Sequence, residues 1–281
     1  MEIVRTISDT KTILEKIKAE GKTIGFVPTM GALHAGHISL QECSYKENDF
    51  TVCSIFVNPI QFNNTEDLEK YPRTEERDIE MLEKAGCHLV FIPLVNEMYV
   101  EKEETVYDFG HLEKILEGEF RPGHFNGVAI VVKKLFDIVL PNKAYFGEKD
   151  YQQLAIVKQL VRMHDIPVEI VPCPTMRDLS GLAMSSRNER LSLEEKEIAT
   201  VLYRTLKQTG EKAFELTPEE CENWAIQQIN AAPGMSVEYF SIVDAETMLP
   251  VKKWNEGKQV VACVAAFIGG VRLIDNMMIF S

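Results

Sequence analysis

Pro28-Thr29-Met30-Gly31-Ala32-Leu33-His34-Ala35-Gly36-His37 decides how this chain is read. The stretch follows Thr23-Ile24-Gly25-Phe26-Val27, an apolar run with the composition of a buried strand. It leads into Ile38-Ser39-Leu40-Gln41-Glu42-Cys43, the expected opening of a helix. Two histidines with Gly36 between them therefore stand where a strand hands over to a helix. In an open α/β sheet, ligands bind at the carboxyl ends of the strands. A helix start adds unpaired N–H groups and the positive end of the dipole, which favour phosphate. A nucleotide site is the expectation, with Gly36 allowing close backbone approach. A pair of helix-start histidines without a ligand fits the same letters. A zinc site fits less well, because no Cys or Glu follows at ligand spacing.

Working outward, strand-like runs at 23–27, 51–57, 88–92, 143–146 and 167–171 alternate with helical patterns. The helices are expected near 8–20, 37–47, 73–86, 127–140 and 150–164. Such alternation predicts a doubly wound parallel sheet. The character changes after about residue 176. Ser192 and Glu195 form a capping-box pattern that opens a helix to about 214, and a second helix runs from Thr217 to about 231. Three β-like runs follow at 235–243, 259–267 and 271–280. The expected organisation is a domain over 1–176 and a smaller α+β domain over 177–281.

With 281 residues the chain can bury a core without staples. A net charge of −13 excludes the basic footprint of a general nucleic-acid binder, but not a local phosphate site. The six cysteines lie at 43, 53, 87, 173, 221 and 263, without metal-site spacing, and read as free thiols of a reducing compartment. No apolar stretch approaches the roughly 20 residues of a membrane span, and Met1-Glu2-Ile3-Val4-Arg5 lacks a signal-peptide core. The expected location is the cytoplasm.

Four further segments carry polar residues at strand ends or in loops. Asn58-Pro59-Ile60-Gln61 follows a buried strand, and its amides suit a hydroxy acid; Asn58-Pro59 alone would also serve as a plain turn. Gly147-Glu148-Lys149-Asp150 opens a helix, with Lys149 as a phosphate cation, Asp150 as an N-cap candidate and Gln153 one turn on; a solvated charged turn is the alternative. Met184-Ser185-Ser186-Arg187 joins two hydroxyls to an arginine and suits a triphosphate, or is simply a linker between domains. Phe120-Arg121-Pro122-Gly123-His124 is a loop before an apolar helix, and sequence leaves the roles of Arg121 and His124 open.

The set PTMGALHAGH (28–37), FVNPIQF (56–62), YPRT (71–74), FRPGHFNGV (120–128), FGEKDYQQ (146–153) and MSSRN (184–188) resembles the pantoate–β-alanine ligase family, in order and over nearly the whole chain. The histidine element and the Ser-Ser-Arg loop also resemble the paired signatures of a wider nucleotidyltransferase superfamily, with Arg187 where a lysine is usual. The resemblance implies a Rossmann-like domain, a smaller C-terminal lid domain and a homodimer. It implies condensation of (R)-pantoate with β-alanine through a pantoyl adenylate, releasing AMP and pyrophosphate. By the same resemblance His34, His37, Lys149 and Arg187 stabilise developing charge, with His37 as general acid. Ser185 and Ser186 donate to phosphate, and Asp150 accepts from ribose. Residues 30–37, Gly147, Glu148, Met176 and Met184 border the ATP. Gln61 and Gln153 hold pantoate, with Asn58 beside them. Mg²⁺ is expected to arrive on the ATP phosphates rather than in a protein cage. Two alternatives share these motifs: a nucleotidyltransferase with another small substrate, and a nucleotide sensor without turnover.

Overall fold

In the computed structural model, which describes residues 1–63, 65–254 and 259–280, the run after Thr23 is an inner strand of a six-stranded parallel sheet. The chain order begins β1 (Glu2–Val4), α1 (Ile7–Ala19), β2 (Ile24–Thr29), α2 (Ala35–Glu47) and β3 (Phe50–Ile55). It continues with the short α3 (Thr65–Glu69), α4 (Glu75–Lys84), β4 (Leu89–Phe91) and the short α5 (Val95–Met98) and α6 (Glu117–Phe120). Then come α7 (His124–Val139), β5 (Lys143–Gly147), α8 (Tyr151–Met163) and β6 (Glu169–Cys173). The C-terminal part holds α9 (Leu193–Ala199), α10 (Val201–Lys212), α11 (Pro218–Asn230), β7 (Ser236–Asp244), β8 (Val260–Ile268) and β9 (Val271–Phe280).

The sheet order is β1-β4-β3-β2-β5-β6, with every pair parallel. From β2 the chain steps outward through β3 to β4, then crosses back to β5 on the other side of β2. The order therefore reverses between β2 and β5, and the carboxyl ends of these two strands flank the switch point, where a doubly wound sheet takes its ligand. The segment after β2 is the histidine element; the segment after β5 is Glu148-Lys149-Asp150.

Two compact units divide the chain: Met1–Glu148 with Gln152–Pro174, and Lys149–Tyr151 with Thr175–Ser281. The first is the Rossmann-like sheet and its helices. Phe26, Val52, Leu89 and Ala144 are fully buried along its central strands. Gly25 lets α2 lie close: a Cβ there would stand 2.2 Å from Ser44 Oγ. The second unit is an antiparallel sheet of order β7-β8-β9 with α9, α10 and α11. Its middle strand is buried at every position but Phe267, so the unit has its own apolar core.

Three departures from the sequence reading have local causes. The N-terminal β1 has no counterpart among the expected strands, because three residues are too few to show a period; it pairs with β4 from Glu2–Leu89 to Val4–Phe91. The helix expected from 192 to about 214 is two helices, α9 and α10. At Thr200 the hydroxyl donates to the Glu197 carbonyl at 2.6 Å, tightening the turn where they meet. The helix expected from 37 begins at Ala35, because His34 itself is the cap.

Candidate active site

The turn between β2 and α2 is built by its own side chains. Gly31 and Ala32 are both left-handed, at φ 81° and 49°. Leu33 then buries its side chain in the apolar cluster that also holds Leu40, while Ile38 packs against that cluster. His34 has extended backbone, and its Nδ1 accepts from Gly36 N at 3.1 Å. His37 Nδ1 accepts from His34 N at 3.3 Å. The two imidazoles thus form a reciprocal capping box, with ring centroids 4.1 Å apart. Because both Nδ1 atoms accept, these bonds assign the hydrogen of each neutral ring to Nε2. Each neutral ring therefore carries its hydrogen on Nε2 at the positive end of α2, whose first turn holds no acidic residue.

Beyond β3, Pro59–Gln61 is a 3-10 turn capped by Asn58, whose Oδ1 accepts from Ile60 N at 3.4 Å. Asn58 Nδ2 donates to Gln61 Oε1 at 3.1 Å and to the Gly127 carbonyl at 3.0 Å. Tyr99 Oη donates to Asn58 Oδ1 at 2.8 Å. Burial, with the Glu103 carboxylate nearby, raises the Tyr99 pKa and keeps that hydroxyl protonated. These bonds fix the Gln61 amide with its oxygen inward and its Nε2 3.0 Å from Met30 Sδ. The strand-end residue Met30 and the amide of Gln61 are thereby brought together. Asn58 is buried, and each of its side-chain polar atoms already has a protein partner; it orients Gln61.

The Phe120–Gly127 segment, whose role sequence left open, supports the same glutamine. His124 Nδ1 lies 2.9 Å from the Gln61 carbonyl. Gly127 permits α7 to approach: a Cβ there would lie 2.7 Å from Gln61 Cα and 2.8 Å from its N. Arg121 pairs with Glu117 at 3.5 Å. On α8, Gln152 is spent on scaffolding. It donates to the Leu112 and Ile115 carbonyls and accepts from Glu117 N, at 2.7, 2.8 and 3.0 Å. The next residue, Gln153, is half-buried.

A cavity of about 230 Å³ lies at the carboxyl ends of β3 and β4, reaching Met30 and Gly31 from that side. Arg5, Arg73 and Asp78 line it, but His34, His37, Gln61 and Gln153 do not. Burial raises the Cys53 thiol well above its ordinary range and the Cys87 thiol to about 12, so neither supplies a thiolate nucleophile.

Of the other expected residues, Gly147 and Glu148 belong to the first unit, and Lys149, Asp150, Met176, Met184, Ser185, Ser186 and Arg187 to the second. The Lys149 carbonyl accepts from Asn276 Nδ2 at 2.8 Å, and Lys149 Nζ lies 3.9 Å from Asp150 Oδ1. Met184 N donates to the Met176 carbonyl at 2.9 Å, closing the base of a loop. Within that loop Asp178 Oδ1 accepts from Ser180 N and Leu182 N. Ser185 caps the 3-10 turn Ser186–Arg190, its hydroxyl accepting from Arg187 N at 3.3 Å. Arg177 anchors the whole loop. It holds Asp275 through two bonds of 2.6 and 2.8 Å and stacks 4.6 Å over the Tyr203 ring.

The family model described as pantoate-beta-alanine ligase matches residues 2–278. The chain belongs to this family. Among curated relatives, a pantothenate synthetase of Porphyromonas gingivalis W83 is 49% identical over 277 residues, covering 99% of each chain. One from Bacteroides fragilis YCH46 is also 49% identical, covering 99% of this chain and 98% of the relative. Among solved structures, the pantothenate synthetase of Thermus thermophilus superposes with TM-score 0.93 at 44% identity, over 100% of both chains. The pantoate-beta-alanine ligase of Francisella tularensis, described as complexed with beta-gamma ATP and beta-alanine, has TM-score 0.83 at 38% identity. That match covers 99% of this chain and 98% of the other.

Several supports of the expected side chains carry no signal in the letters. Tyr99 and Asp275 act over separations of 41 and 98 residues, so no local spacing reveals them. Gly127 stands in the 120–128 motif, but its partner 69 residues away does not show there. Among the described residues no helix is long and apolar enough to cross a membrane, and no group of three metal-ligating side chains occurs.

Proposed function

We propose that this chain condenses (R)-pantoate with β-alanine using ATP, through a pantoyl adenylate. A pantoate carboxylate oxygen attacks the α-phosphorus, and the bond from that phosphorus to the pyrophosphate oxygen breaks. The β-alanine amine then attacks the acyl carbon, the acyl–phosphate C–O bond breaks, AMP leaves and the amine loses a proton. Family membership supplies the reaction. The observation that carries the site is the oriented amide of Gln61, held by Asn58 beside Met30 at the end of β2.

A neutral amide is the right group for the acid. It fixes pantoate by hydrogen bonds, whereas a cation bound to the carboxylate would reduce its nucleophilicity. Gln153 joins Gln61 in this role. Charge that builds on phosphate in the first step requires prepositioned donors. His34 and His37 supply Nε2–H groups at the helix start. As general acid His37 enters the step as the imidazolium, its Nδ1 released from the His34 N–H, and returns to the neutral ring when its proton passes towards the departing pyrophosphate. Lys149 and Arg187, with the hydroxyls of Ser185 and Ser186, serve the remaining phosphate oxygens, and Asp150 takes the ribose. Mg²⁺ comes as part of the MgATP substrate, a role that needs no cage of protein ligands. The segment 177–281 acts as the lid domain, and the working enzyme is a cytoplasmic homodimer.

The test is ATP–pyrophosphate exchange with (R)-pantoate, Mg²⁺ and no β-alanine. Exchange that depends on pantoate, followed by AMP release on adding β-alanine, is the expected result. If AMP does not form even with both substrates present, the reading is wrong.

A further inference from the structure

Asp78 lies on α4, outside every motif that suggested the function, yet its carboxylate reaches the histidine turn. It is only 1% exposed. Oδ2 accepts from Ala32 N and Oδ1 from Leu33 N, both at 2.8 Å. Thr74 Oγ1 donates to Oδ1 at 3.0 Å. These are the two peptide groups immediately before His34. One of them belongs to Ala32, which has a Cβ and still adopts φ 49°. A non-glycine residue keeps such a conformation only where its surroundings hold it.

Gly31 makes the approach possible. A Cβ there would stand 3.0 Å from Asp78 Oδ2 and 3.1 Å from Ile55 Cγ2, and the residue is itself left-handed. Glycine, carboxylate and left-handed alanine form one device. Its output is the position of the His34 backbone, whose N–H in turn holds His37 Nδ1. Charge-assisted bonds to backbone N–H are about twice as strong as neutral ones, and they are directional.

We infer that Asp78 is a positioning residue for adenylate formation: its carboxylate clamps the Ala32 and Leu33 amides and so sets where His34 and His37 meet the phosphates. It touches no substrate. The assignment rests on the reaction proposed above. A small displacement of catalytic groups can cost about 100-fold in rate, so a modest change at the clamp has a large readout.

The experiment is a double-mutant cycle read by pantoate-dependent ATP–pyrophosphate exchange. Asp78→Asn keeps the shape but turns one acceptor into an NH₂ facing an amide N–H. His34→Asn removes the imidazole and keeps a capping side chain. Expected is a loss of about 10- to 100-fold for Asp78→Asn in the native background, with folding retained by circular dichroism. In the His34→Asn background the same change should cost clearly less, because one of the two imidazoles it positions is gone and only His37 is left to be displaced. An equal loss in both backgrounds, or none in a folded Asp78→Asn protein, overturns the assignment. If Asp78→Asn does not fold, Thr74→Val, which removes one of the three donors, goes through the same cycle with the same criteria. Exchange by the unmodified protein in the same assay separates failure of this assignment from failure of the proposed reaction.

Discussion

Asn58 and Gln61 are joined side chain to side chain, Nδ2 to Oε1 at 3.1 Å, three residues apart across a 3-10 turn. The bond settles which end of the Gln61 amide faces outward. It also makes Asn58 answerable to Tyr99, which donates to its Oδ1 at 2.8 Å. Tyr99→Phe removes that donor and leaves Ile60 N, at 3.4 Å, as the other group on the oxygen. The expected cost is about 1 kcal/mol of stability. The functional effect should fall on pantoate: its KM rises several-fold, and ATP use changes less. Steady-state kinetics against each substrate check this. Equal change in both would mean that the tyrosine supports the fold without orienting the glutamine.

Gly127→Ala probes the same glutamine from the other side. The added Cβ meets backbone atoms of Ile60 and Gln61 at 2.7–2.8 Å, and backbone cannot swing aside as a flexible side chain does. Overpacking of this kind costs about 1–3 kcal/mol. The turn that carries Gln61 must move, so pantoate KM should rise more than for Tyr99→Phe. Wild-type kinetics in Gly127→Ala would show that the turn has slack.

The sheet was legible because its central strands β2, β3 and β4 are buried on both faces and read as apolar runs. Phe26-Val27 and Val52-Cys53 needed no partner to be recognised. The short β1 was not legible, since its identity as a strand comes from β4. The histidine element showed through because a strand end, a glycine and a helix start are adjacent in sequence. Its supports did not: the Asp78 clamp spans 45 and 46 residues, and a buried Asp looks like any helix-surface Asp in the letters. Gln152 and Gln153 show the limit most sharply. They are adjacent and chemically identical, yet the helix turns one into the scaffold, where it braces Leu112, Ile115 and Glu117, and leaves the other half-buried.

Within the second unit, Arg177 and Asp275 form a bidentate pair with side chains 17% and 2% exposed. Arg177 also donates to the carbonyls of Gly181 and Asn276, at 3.2 Å each, so it ties the loop to β9. Removing one partner of a buried pair costs about 3–5 kcal/mol, because the other charge is left uncompensated. Asp275→Ala should therefore lower the melting temperature markedly. Arg177→Lys keeps the charge but loses the fork, and should also melt early, by a smaller margin. A melting temperature unchanged by Asp275→Ala would show that the loop is anchored by Asp178 and the Tyr203 stack instead.

Gln41 offers a change in the opposite direction. It sits on α2, fully buried, and neither its Oε1 nor its Nε2 has a hydrogen-bond partner among the described residues. The Cys87 thiol is close to it, a weak partner at best. A buried polar group left unpaired costs about 1–3 kcal/mol. Gln41→Leu has similar volume, places no polar atom in the core and suits a helix. It should raise stability by about 1–2 kcal/mol and leave the kinetics untouched, since the capping box is formed a full turn earlier by His34 and His37. Thermal and denaturant melts of the purified variant provide the check. Destabilisation would mean that a buried water or the Cys87 thiol satisfies the amide, and that the polar atoms belong to the native packing of α2 on the sheet.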